Sequence, residues 1–276
     1  MQVQFFARAL LASSAAIFFW DQSLGAAGRV SVGHAAVGVG ASVTTAGAPA
    51  TDSMRFGLSG KLRGPLMTYL TRHPFTAKVN GRIGQYLIGF WPGERGRVTK
   101  GAYQNPEGFV EVTPENQNTL ISEHFRLRDF ITHDQASTWP KYVVLREDLV
   151  DKLELVIQEL EKQGVVVRRM TVMSGFRTPQ YNGPGGDGRS GVSRHMYGDA
   201  ADVFVDNDGD GRMDDLNADG RVDYRDARVI LAAAERVEGL HPRLAGGVGV
   251  YRATASHGPF AHVDVRGWRA RWGLIG

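Results

Sequence analysis

Cysteine is missing from all 276 residues of the chain. That excludes disulfides, thiolate metal sites and cysteine nucleophiles. Concentrated basic charge is missing too: 32 Lys and Arg stand against 29 Asp and Glu, a net charge of +3, and the basic side chains are scattered. Nothing therefore points to a nucleic-acid partner. Beyond the N-terminus no apolar run is long enough to span a bilayer. What is present is 42% apolar content, enough for a core, and a length that holds one large or two small domains.

At the N-terminus, Arg8 precedes an apolar stretch over 9–20, and the small residues Gly25, Ala26 and Ala27 follow. This pattern predicts an export signal over 1–27 cleaved after Ala27; retained uncleaved, the same stretch would serve as an anchor. Export without cysteine fits a bacterial envelope protein, in the periplasm or elsewhere in the cell envelope. Residues 28–57 have linker composition, dominated by Gly, Ala, Ser, Thr and Val. Short strand-like runs at 84–90 and 108–113 around Trp91-Pro92-Gly93 predict a small β-rich module over 58–120. In 121–276, Leu149, Val150, Leu153, Val156, Ile157 and Leu160 fall at helical spacing, predicting a helix over 146–163 stopped by Gly164. Strands are expected at 165–167, 170–173, 200–205, 246–251 and 261–265, and a second helix at 227–237. The fold class is α+β.

The residues that carry chemistry are concentrated in Ser193-Arg194-His195-Met196-Tyr197-Gly198-Asp199-Ala200-Ala201-Asp202, which reads S-x-H-x-x-G-x-A-x-D. A glycine-containing turn carries the imidazole, and an apolar strand carries the carboxylate. Asp202 in such a strand is costly unless a cation or hydrogen bonds satisfy it. His262 lies in a second apolar strand pattern, with Asp264 two residues on and so on the same face. Two histidines and an aspartate form the ligand set of a catalytic zinc with one open position. Asp264 suits the outer nitrogen of a ligating imidazole, and Ser193 can hydrogen-bond the backbone or a ligand nearby.

These motifs resemble those of the zinc D-Ala-D-Ala peptidases of the peptidase M15 family, which share their fold with the hedgehog signalling domain. Ser174-Gly175-Phe176-Arg177-Thr178-Pro179-Gln180-Tyr181-Asn182 is similar to the family's S-G-[FY]-R-T-P-x-Y-N segment. The segment from His257 to Gly267 is similar to its closing H-G-P-F-x-H-V-D-x-R-G. The resemblance covers 121–276 and implies a hedgehog/D,D-peptidase-like domain with a small antiparallel sheet and flanking helices. It also implies a zinc metallopeptidase, either a carboxypeptidase or an endopeptidase, acting on the stem peptides of peptidoglycan. His195, Asp202 and His262 would hold zinc, and Arg177 would pair with the substrate carboxylate or the developing oxyanion. Ser193 and Tyr181 would join Arg177 at the substrate. Many members place an acid three residues before the last histidine, where this chain has Pro259. His257 is the nearest replacement base and Asp264 the second. Without a base, the fold would serve as a zinc-containing wall-binding protein.

Between the second and third ligands lies an acidic insertion at 206–226, with two overlapping frames of a calcium loop, D-x-[DN]-x-[DN]-G. The better frame places Asp215, Asn217, Asp219, Arg221, Asp223 and Asp226 at positions one, three, five, seven, nine and twelve, with Gly220 at the turn. The other begins with Asp206, Asp208 and Asp210. Calcium there would brace the excursion from the Asp202 strand back toward His262.

Overall fold

The computed structural model describes residues 70–97, 101–184 and 190–274, all within one unit, Arg55–Gly276. The expected export signal, the linker and the start of the β-rich module lie outside the described residues. The architecture is α+β, with few helices and small, mostly antiparallel sheets. Among the described residues no helix is long and apolar enough to cross a membrane.

Strands β1 (Arg72–Pro74), β4 (Gly108–Val112) and β5 (Lys141–Val143) form a three-stranded antiparallel sheet in the order β1-β4-β5. This sheet takes strands from both sides of residue 120. The hairpin β2 (Arg82–Ile83) with β3 (Tyr86–Leu87) stands beside it. Trp91, fully buried, donates its indole N–H to Met196 O at 2.9 Å, tying this region to the turn that carries His195.

Helix α1 (Glu147–Lys162) forms where the periodicity places it, and every apolar residue of its stripe is buried. Glu147 and Asp148 in its first turn and Lys162 in its last complement the helix dipole. Gly164 follows with φ of 83°, a left-handed conformation that glycine adopts without a Cβ clash. Residues 165–167, expected as a strand, run as loop. Asn207 holds the loop here, donating to Val166 O and accepting from Arg168 N. After the short α2 (Pro179–Asn182), helix α3 (Tyr224–Leu240) starts earlier than the apolar pattern indicates. Asp223 caps it, and Asp226 reaches back to the Asp223 N–H at 2.8 Å.

The second sheet runs β10 (Ala270–Gly273), β8 (Gly247–Tyr251), β9 (Phe260–Asp264), β7 (Ala200–Val205), β6 (Met170–Ser174); only the β10–β8 pair is parallel. Alternation sends Val248, Val250, Ala261, Val263, Ala201 and Val203 into the core shared with α1 and α3. The opposite face carries one continuous cross-strand row, Trp272–Gly249–His262–Asp202–Ser174. Gly249 is required in that row, because a Cβ there would lie 2.3 Å from Trp272 Nε1.

Candidate metal centre

His262 and Asp202 are direct partners across the β7–β9 ladder, so register alone brings them together. His195 arrives from the 3-10 turn Arg194–Tyr197. The turn ends at Gly198, whose φ is 65° and whose Cβ position would lie 2.2 Å from Val144 O. Both facts demand glycine. Arg194 and Asp199, two of the unspecified positions of the motif, form a buried ion pair, and Arg194 also lies over the rings of Tyr103 and Tyr197. The turn is thereby anchored on both sides of His195.

One ligand atom each from His195, Asp202 and His262 lies within 4.8 Å of the other two, and all three residues are buried. Asp202 Oδ1 is 2.9 Å from His262 Nδ1 and 3.3 Å from His195 Nε2. The outer nitrogens are occupied: His195 Nδ1–H donates to Gly175 O at 2.7 Å, and His262 Nε2–H donates to Asp264 Oδ2 at 3.1 Å. Each histidine is therefore fixed in the tautomer that turns its lone pair inward. The two inward nitrogens are 3.2 Å apart, close enough for one cation to meet both. Burial alone would lower the His262 imidazole, but hydrogen bonds to Asp202 and Asp264 carry it up to about 9. Burial pushes His195 the other way, down, leaving it neutral. For Asp202, burial works to raise the carboxyl, but the charge and hydrogen bonds of the two histidines hold it well below the usual carboxylate range. Two imidazoles and a carboxylate arranged this way could hold a metal ion.

The other sequence-predicted residues divide. Asp264, fully buried, accepts from His262, from the Gly247 N–H at 2.7 Å, and from the backbone and guanidinium of Arg266. With burial opposed by those donors, its carboxyl sits well below the ordinary range, and the geometry is that of a side chain that orients a ligand. Arg177 holds Asp202 Oδ2 at 2.5 Å and Ser174 Oγ at 2.8 Å, joining the outer edge of the ligand row. Ser193 is the buried N-cap residue of the His195 turn, and Tyr181 sits half-buried in α2. His257 lies in the β8–β9 loop, where Nδ1 donates to Gly258 O and the ring meets Phe260 edge-on. Among the described residues no hydrogen bond joins His257 to the three ligands.

In the acidic insertion, the carboxylates that converge within 4.8 Å are those of Asp206, Asp208 and Asp210. In the frame expected to be better, Asp215, Asn217 and Asp219 accept backbone N–H groups of their own loop. Asp223 and Asp226 cap α3, and Asp226 also accepts from the Leu216 and Asn217 N–H groups.

Sequence reasoning missed Tyr251 and Trp272. Trp272 lies over Gly249 with its ring centroid 5.1 Å from that of His262, and it donates to Tyr251 Oη at 2.6 Å. The alternating glycines of Gly247-Val248-Gly249 were the available signal, since glycine inside a strand marks a close approach. No family model and no curated protein matches the chain.

Proposed function

We propose that the chain is an exported zinc metallopeptidase of the D-Ala-D-Ala peptidase type, with a hedgehog/D,D-peptidase-like fold, that hydrolyses peptide bonds of peptidoglycan stem peptides. The observation that carries this reading is the buried His195, Asp202 and His262 group with both outer imidazole nitrogens occupied. The ordered resemblance of the Arg177 and His257–Gly267 segments adds the substrate class. Zinc, when bound, would polarise the scissile carbonyl and lower the pKa of a water. Arg177, 16% exposed, sits where its planar fork can exchange Asp202 for a substrate carboxylate or oxyanion. His257 serves as base in this reading: with Nδ1 donating to Gly258 O, Nε2 carries the lone pair. Calcium in the 206–226 loop would act as a brace, and EDTA followed by zinc-only or calcium-only add-back separates its contribution from that of zinc.

Mass spectrometry of purified muropeptides after digestion with zinc-loaded protein is the test. Release of terminal D-Ala identifies a carboxypeptidase, and loss of cross-linked dimers identifies an endopeptidase. Unchanged muropeptides would overturn the catalytic reading. They would favour a zinc-containing wall-binding protein, for which Pro259 at the acid position speaks.

A further inference from the structure

Tyr251 ends β8 on the same sheet face as Gly249, two residues from it, and therefore on the face of His262 and Asp202. Its ring is stacked on Phe260, with centroids 4.5 Å apart and planes 10° from parallel. Its hydroxyl accepts the Trp272 indole N–H at 2.6 Å, which turns the oxygen back over side-chain-free Gly249 toward the ligand row. Because the oxygen accepts, its own proton points elsewhere. Among the described residues no hydrogen-bond acceptor takes that proton. Burial, with Asp202 nearby, raises the phenol above its ordinary value, so the group stays protonated and acts as a donor.

We propose that Tyr251 is a catalytic residue, its O–H donating to the oxygen of the scissile carbonyl as that oxygen gains negative charge, with Trp272 as the positioning residue. The donor is neutral, prealigned by one hydrogen bond and one ring stack, and stands beside a buried metal centre, the setting in which an oxyanion donor has its greatest effect. No bond to Tyr251 forms or breaks. This role rests on the metallopeptidase reading, and its test is chosen to stand apart from it.

Y251F removes the hydroxyl and keeps the ring on Phe260. Calorimetry with zinc-loaded full-length protein and a phosphinate analogue of D-alanyl-D-alanine, a tetrahedral anion, is expected to show about 10²-fold weaker binding for Y251F than for wild type. Zinc affinity, read by chelator competition, stays unchanged. On muropeptides kcat falls by a similar factor while KM moves by less than about twofold. W272F, which deletes the indole N–H, gives a smaller loss in the same direction. Equal phosphinate affinity in Y251F and wild type, a loss matched by lost zinc affinity, or no phosphinate binding by wild type would each overturn the donor role. Tyr251-dependent phosphinate binding by a protein that leaves muropeptides intact would retain the donor and overturn the peptidoglycan reading.

Discussion

The His195, Asp202 and His262 cluster and the 206–226 loop are both groups of potential ligands, yet they are built in opposite ways. In the cluster the outer atoms are occupied by Gly175 O and Asp264, and the inner atoms face one another in a buried space. In the loop, backbone N–H groups take up the carboxylates of exposed Asp208, Asp210 and Asp219 and of half-buried Asp215. The lesson concerns the alternative partner. Buried ligands held from outside and turned toward one another are arranged so that one cation can meet all three. Exposed carboxylates that accept local N–H groups have partners whether or not a cation binds.

The sharpest way to break this comparison is His262→Ala, expected to abolish stoichiometric zinc binding while Asp208→Asn leaves it intact; chelator competition on both variants decides. Next is Asp264→Asn, which leaves all three ligands and disturbs only what holds His262. About 10- to 100-fold weaker zinc binding is expected, and an unchanged affinity would show that the outer hydrogen bond does nothing for the metal. Gly249→Ala must displace Trp272 from the row and is expected to cost about 1–3 kcal/mol in urea unfolding. Asp226→Ala removes an acceptor for three backbone N–H groups, with an expected loss of about 1–2 kcal/mol in the same measurement and no change in zinc affinity.

The smallest effect belongs to a third group, Glu123, His124 and Glu154, which lies between the other two in burial. His124 Nδ1 is 2.7 Å from Glu154 Oε2. The hydrogen bond to Glu154 raises His124 above 6.5, and despite burial the bond from His124 lowers Glu154 below 4.5. The His124 contribution is complete below 6.5 and disappears as pH rises through its folded value. The Glu154 contribution is complete above 4.5 and disappears as pH falls through its folded value. Thermal melts of wild type and Glu154→Gln should therefore differ most between those limits, by about 1 kcal/mol or less. A difference that grows above pH 8 would contradict the pairing.

Much of the site was legible in the chain because its signals are local. The apolar run 200–205 and the pattern around His262 became β7 and β9, and the helical stripe of α1 was buried as its spacing required. Acidic residues before an apolar stripe suit both a calcium loop and a helix cap; Asp223 and Asp226 cap α3, which starts earlier than its apolar pattern for that reason. The stretch expected as a strand at 165–167 is loop, and its Val166 carbonyl is taken by Asn207, about 40 residues away.

Composition and motif spacing by themselves determined the absence of thiol chemistry, the mixed α and β character, and which two imidazoles and which carboxylate were candidates. Only the tertiary structure decided that Asp202 faces His262, that Asp264 accepts from His262, Gly247 and Arg266, and that Trp272 and Tyr251 stand beside the ligands. The reason is register: strands far apart in sequence acquire a common face only when their ladders pair, and a shift of one residue would send every one of these side chains to the opposite face.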